Sequence, residues 1–255
     1  MAHDPVTAAI DVLASRHGLG GGQALALGRL VAALEAEHDP PTRLRAGVKA
    51  VEGHLADSLA ALELREVRHA RRVADLGAGA GFPGLALAVA LPDATVDLVE
   101  SSARKAEVIA RLIRAAGLHN ARAVPARAET WGAGEARATY DVVTARAVAA
   151  FPVVVEYAAP LLAPGGVLVA WRGARDPIQE AAGAGAAEEA GLRAEEVRRV
   201  VPFEGALHRH LHVLRKVGPT PERLPRRPGV AARRPLGSHP ARADRPEDRS
   251  RGGRE

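Results

Sequence analysis

Three glycines spaced two apart, Gly77, Gly79 and Gly81, follow an apolar run beginning at Val73 and lead through Phe82-Pro83 into Gly84. Residues without a Cβ at this spacing let the backbone take positive φ and let a ligand approach the main chain closely. One acid, Asp75, stands two positions before the first glycine, and another, Glu100, stands 23 positions after it. Free N–H groups and the positive end of a helix dipole suit the polar part of a nucleotide, and a carboxylate at this distance suits the two hydroxyls of a ribose. Arg127, Arg146 and Arg172 add forks of N–H donors that match phosphate or base oxygens. There is no evident His or Asp constellation for general-base work.

Two other polar groupings are weighed against these. His54, Asp57 and Ser58 fall at i, i+3 and i+4 of a helical stretch and read as a solvated or capping face. His208, His210 and His212 alternate and so project from one face of a strand, which is the spacing a metal site would use. Nothing else with ligand spacing accompanies them, and Leu211 and Val213 read as the core face, so no metal is expected. Asp141, at a strand start, is read as fixing local backbone.

A strand over Val73–Leu76, the glycine turn and a helix started by Pro83 and ended by Pro92 present the loop. Thr95–Glu100 is a second strand that delivers Glu100, and Ser101 or Ser102 then caps a helix through Ala116 that stops at Gly117. A third strand near Asn120–Pro125 leads to Arg127-Ala128-Glu129, where an adenine edge would meet the strand end. Tyr140–Arg146 is the fourth strand and places Arg146 toward the site. A helix over Val153–Leu162, the turn at Pro164-Gly165-Gly166 and a fifth strand, Val167–Trp171, complete a mainly parallel sheet with right-handed crossovers. Arg193–Val201 and Leu207–Val217 form an antiparallel hairpin at one edge. Upstream, residues 5–66 carry apolar positions near the 3.6 period and read as three helices broken at Gly18–Gly22 and Pro40-Pro41.

Bulk properties narrow the class. With 255 residues and 47% hydrophobic residues the chain can bury a full core, although aromatics are only 3%. The absence of cysteine excludes disulfides and thiolate metal sites. No apolar run approaches the ~18 residues of a membrane span, and no signal-peptide pattern opens the chain, so a soluble cytoplasmic monomer is expected. The net charge is +5, and residues 218–255 hold ten arginines against five acidic residues, so the whole excess lies there. Seven prolines and five glycines in the same stretch predict a disordered basic tail, suited either to holding phosphate backbones or merely to solubility. The expected layout is thus a helical extension over 1–66, a catalytic domain over 67–217 and a tail over 218–255.

Gly79-Ala-Gly-Phe-Pro-Gly84 alone also satisfies the dinucleotide pattern G-x-G-x-x-G, which keeps a nicotinamide or flavin oxidoreductase in view. Asp75 before the glycines, the Tyr140-Asp141 pair and the Leu161–Val169 turn into strand five are features of S-adenosylmethionine-dependent methyltransferases instead. The chain resembles the bacterial 16S ribosomal RNA guanine-N7 methyltransferase family over nearly its full length. The resemblance rests on His54-Leu-Ala-Asp57-Ser58, Asp75–Gly84, Arg127-Ala-Glu129, Ala145-Arg146-Ala147, Arg172-Gly173 and Arg209-His210-Leu211.

The resemblance implies an α/β class I methyltransferase fold and S-adenosylmethionine as cofactor. It further implies a site lined by Gly77, Phe82, Glu100, Ser101, Ser102, Ala128, Glu129 and Arg146, with Gly79 and Gly81 in the loop. The implied substrate is a guanine of 16S rRNA, free or in the small subunit. Guanine N7 carries no proton, so positioning rather than a base is required, and Arg146 and Arg127 are the candidates for it, with Arg172 beside them. An asparagine-bearing segment, N-x-x-x-N-L-T, precedes the His54 motif in that family. Here Asp39–Arg45 lacks those asparagines. A non-catalytic RNA-binding protein keeping the fold is the remaining alternative.

Overall fold

The computed structural model describes residues 4–237, which build one seven-stranded sheet in the order β3-β2-β1-β4-β5-β7-β6. The strands are β1 (Arg72–Leu76), β2 (Thr95–Glu100), β3 (Ala121–Pro125), β4 (Tyr140–Arg146), β5 (Leu162–Arg172), β6 (Leu192–Arg199) and β7 (His210–Lys216). The first five pair in parallel, while β7 runs antiparallel to both β5 and β6. The strand order reverses direction between β1 and β4, and the carboxyl ends of those strands flank the crevice where such sheets bind ligands. Gly77 and Arg146, the residues at that crevice, are therefore neighbours by topology.

Both faces of the sheet are covered, which is why the central strands are apolar in succession rather than alternating. On one face Val73, Val96, Val142 and Val167 pack with Leu85, Leu87, Ile109 and Leu112, and the N-terminal helices Pro5–His17 and Gly21–Ala36 add Leu13, Leu27, Leu30 and Leu34. On the other, Leu76, Val143 and Leu168 pack with Val154, Val155 and Ala186. Each fully buried Leu contributes about 2 kcal/mol on transfer from water. The helix Ala103–Ala116 has both expected ends, with Ser102 accepting from Lys105 N and Gly117 in the left-handed conformation. A helix at Pro177–Glu189, which the Ala/Gly-rich sequence did not announce, fits between β5 and β6 because Gly183 lets it lie against the Phe151 ring.

Two regions depart from expectation. The third N-terminal helix is interrupted over residues 47–68, with a π-helical turn at Val51–Ala56 and a 3-10 turn at Ala60–Glu63. The segment 218–237, expected to lack structure, packs on the body: Leu224, Ala231 and Leu236 are buried, and Arg226 pairs through both its Nε and Nη2 with the buried Glu156. Arg137 Nη1 donates to Leu224 O at 2.8 Å. Composition misleads here because three apolar side chains and one arginine suffice to dock a segment that has no core of its own. The remainder of the expected tail, 238–255, lies outside the described residues.

Candidate active site

The glycine loop is built from the end of β1. Gly77, Gly79 and Gly81 have φ of 62°, 57° and 93°, a region that costs any other L-residue energy. A Cβ on Gly77 would come within 2.8 Å of Val148, so the loop passes close against the turn after β4. A Cβ on Gly79 would meet nothing nearer than Gly77 O at 3.7 Å, which leaves open space in front of the loop. Asp75 is fully buried. Its oxygens accept from Gly84 N at 2.9 Å and Thr144 Oγ1 at 2.8 Å, and burial pushes its carboxyl up to about 6. Asp75 therefore braces β1 to the next helix and to β4 from beneath.

Glu100 ends β2 where the loop can reach it. One of its oxygens accepts from Gly79 N at 3.0 Å, and the other from Ser102 N at 2.8 Å and Ser101 Oγ at 3.5 Å. A carboxylate offers about four lone-pair sites, so these bonds aim the group and leave it able to take more donors. The open loop and the aimed carboxylate fit the sugar of a nucleoside cofactor. At the end of β3, Arg127 is exposed and precedes the helix Ala128–Ala133, Ala128 is half-buried, and Glu129 is buried. The Glu129 carboxylate accepts from Gly229 N at 2.9 Å, so the C-terminal segment engages it.

A second cluster forms where the interrupted helix meets the carboxyl ends of β4 and β5. His54 stacks on Phe82 with ring centroids 4.6 Å apart and planes at 16°, which joins this cluster to the glycine loop. Its Nε2–H donates to Leu44 O at 2.9 Å, with Thr42 Oγ1 at 3.2 Å, and Nδ1 faces Arg146 Nη2 at 3.4 Å. Burial first, and then the Arg146 guanidinium, press His54 down to about 4, so the ring is neutral at pH 7. Arg146 Nη1 donates to Asp57 Oδ2 at 2.8 Å and to Gly53 O at 3.0 Å. Ser58 Oγ donates to His54 O, and Trp171 Nε1 donates to Asp57 O at 2.8 Å. Asp57 Oδ1 is buried without a hydrogen-bond partner. Arg209 Nε lies 3.2 Å from it, close enough for charge but outside hydrogen-bond alignment.

This arrangement corrects the reading of His54, Asp57 and Ser58 as a solvated face, because all three are buried. The π-helical turn, the close contact of the Leu44 side chain on Gly53 and the Trp171 indole cover them. It also alters Arg146, which is 18% exposed and gives its fork to Asp57, Gly53 and His54. Arg172 lies over the Phe151 ring at 5.5 Å. Between these walls opens a cleft of about 520 Å³ lined by Leu44, Asp57, Arg146, Arg172, Asp176 and Arg209, among others. Trp171 and Arg209 were not marked as site residues. Arg209 belongs to the Arg209-His210-Leu211 stretch on which the family resemblance rests, and strand pairing then brings it to the cleft, with Arg172 across from His210.

The remaining polar groups sit elsewhere. Asp141 Oδ2 accepts from Arg71 N and Arg72 N at 2.8 and 2.9 Å, a backbone clamp. His212 is buried edge-on to Phe151, and desolvation presses it down to about 4. His210 Nδ1 contacts Gly173 O at 2.7 Å. Among the described residues no group of three or more His, Cys, Asp or Glu could hold a metal ion, and no helix is long and apolar enough to cross a membrane.

A family model described as rRNA small subunit methyltransferase G matches residues 42–212. The ribosomal RNA small subunit methyltransferase G of Rubrobacter xylanophilus is 42% identical over 187 residues, covering 72% of each chain. That of Chloroflexus aggregans is 42% identical across 76% of this chain and 82% of its own, and that of Deinococcus radiodurans 40% identical across 82% and 83%. Among solved structures, Aeropyrum pernix fibrillarin with bound S-adenosyl-L-methionine superposes with a TM-score of 0.50 at 17% identity, covering 62% of this chain and 72% of that one. An O-methyltransferase family protein from Burkholderia thailandensis gives 0.51 at 20% identity, covering 67% and 57%. These two likenesses bear on the fold, which is that of class I methyltransferases. With its family model spanning most of the sequence and relatives at this identity over most of their length, the chain belongs to the rRNA small subunit methyltransferase G family.

Proposed function

We propose that this protein moves the methyl group of S-adenosylmethionine to N7 of a guanine in small-subunit ribosomal RNA, in the bacterial cytoplasm. The observation that carries the reading is the juxtaposition of the Glu100-aimed glycine loop with the arginine-lined cleft across the His54–Phe82 stack. When bound, the cofactor supplies an electrophilic methyl on a sulfonium. Glu100 would hold the ribose hydroxyls, the open space in front of Gly79 would accommodate the body of the cofactor, and Ala128 with the backbone of Glu129 would border the base. Arg127 and Arg172 hold RNA phosphates at the rim.

Guanine N7 presents a lone pair in the ring plane and carries no proton, and the residues that would hold the cofactor and the base need only align that lone pair with the methyl group. No proton leaves, so the site requires positioning and exclusion of water rather than a base. The neutral His54, clamped between Phe82 and Leu44 O, is a wall and not a proton carrier. The target guanine must be unstacked, which favours loop or single-stranded RNA. Incubating the protein with methyl-labelled cofactor and either naked small-subunit rRNA or assembled subunits tests the reading. Label entering RNA supports it, and no label in either substrate would overturn it.

A further inference from the structure

The cleft beyond β4 and β5 contains one feature that its internal bonding does not explain. Asp57 is 5% exposed, and while Oδ2 accepts from Arg146, Oδ1 has no aligned donor. A buried acceptor left unpaired costs about 1–3 kcal/mol, which the fold could have avoided by placing an apolar residue there. The side chain nearest to Oδ1 is Arg209, whose Nε is 3.2 Å away and which is 43% exposed. Apart from a 3.4 Å bond from its Nη1 to the adjacent His208 carbonyl, this exposed arginine is held over Asp57 by charge and not by an aligned bond, and such a cover can move. The wall of the cleft carries the guanidinium forks of Arg146, Arg172 and Arg209, and its other carboxylate, Asp176, is exposed and already accepts from Ile178 N and Gln179 N, so Asp57 Oδ1 is the buried acceptor left without a partner.

We infer that Asp57 Oδ1 is the acceptor for the Watson–Crick edge of the target guanine, receiving N1–H and N2–H when Arg209 swings from it toward O6. The inference rests on the proposed guanine-N7 reading. Among the purines, only guanine presents two adjacent donors beside an acceptor, and adenine offers an acceptor at N1 and nothing at C2. The carboxylate therefore selects guanine, and its selectivity comes from a group that would otherwise stay buried and unpaired. The same grip leaves N7, on the opposite edge of the ring, free to face the methyl. Phe82, stacked on His54 beside Asp57, fixes the spacing between the gripped edge and the glycine loop.

The test combines one protein change with one atom change in the RNA. Asp57→Asn keeps an oxygen for Arg146 but turns an N–H2 toward the base. Small-subunit RNA carrying inosine at the position methylated by the wild-type protein lacks only the N2 amino group. We expect inosine to lower kcat/KM of the wild-type protein about 10-fold or more, the loss of one good base contact. Asp57→Asn should lose at least as much on guanine, lose less than about 2-fold further on inosine, and keep its S-adenosylmethionine Kd within about 2-fold. A wild-type protein indifferent to inosine, or losses that multiply in the combination, would overturn the inference while leaving the methyltransferase reading intact. If the wild-type protein methylates no guanine N7, that reading fails first and the inference falls with it. The wild-type arm stands even if Asp57→Asn does not fold.

Discussion

Two buried carboxylates, Glu100 and Asp57, flank the site and are held in different ways. Glu100 is fixed by the main chain of the loop and helix next to it, through Gly79 N and Ser102 N. Asp57 is fixed by side chains from far along the sequence: Arg146 bonds one oxygen, Arg209 sits unaligned by the other, and the Trp171 indole holds its carbonyl. The side proposed for the cofactor is thus completed by local backbone, while the side proposed for the substrate is completed by tertiary packing and left one bond short. A local frame is insensitive to changes elsewhere, whereas a frame of distant side chains couples binding to the stability of the fold.

The largest expected effect breaks the substrate side. Asp57→Ala leaves the Arg146 guanidinium largely buried without its partner, which costs about 3–5 kcal/mol and lowers Tm by roughly 10 °C in a thermal melt. Acid comes next. Folded His54 titrates near 4 against 6.5 for the free side chain, so between those values the unfolded chain binds the extra proton and stability falls as pH drops. His54 contributes a loss on the order of 3 kcal/mol over that window, and His212, also near 4, adds in the same direction. Asp75 opposes them, because at about 6 against 3.8 it holds its proton longer in the folded state. Urea midpoints should therefore fall from pH 6.5 to pH 4, and a flat profile would contradict the neutral, buried His54.

Glu100→Ala tests the local side. Removing the ribose acceptor should weaken S-adenosylmethionine binding roughly 10- to 100-fold by calorimetry while moving Tm far less than Asp57→Ala does. Equal losses of stability in the two variants would erase the distinction between the regions. The smallest effect is expected from truncation after Gly237. It removes five arginines and four acidic residues, a net change of one charge, and spares the docked Leu224 and Leu236. RNA affinity should keep its salt slope to within about one unit.

What the sequence made legible follows the same division. Glu100, Ser102, the three glycines and the strand ends were readable because their partners lie within a few dozen residues and obey fixed turn and cap rules. Asp141 was readable although its partners, Arg71 N and Arg72 N, lie far off in sequence, because a carboxylate at a strand start meets the neighbouring strand's backbone. The burial of His54 and Asp57 was not, because it depends on Leu44, Arg146, Trp171 and Arg209, which only the closed sheet brings together. The segment Asp39–Arg45 looked deficient for want of asparagines, yet Thr42 and the Leu44 carbonyl supply His54 with its polar contacts. Helical periodicity also hid the π-helical turn, which shifts His54 and Asp57 inward from the face that a regular 3.6 repeat assigns to them.

The most direct test is mass mapping of the methylated nucleoside after small-subunit rRNA has been incubated with the protein and S-adenosylmethionine. The two-sided site predicts 7-methylguanosine at a single position. A methyl on another nucleoside, on a guanine atom other than N7, or on no RNA at all would contradict it.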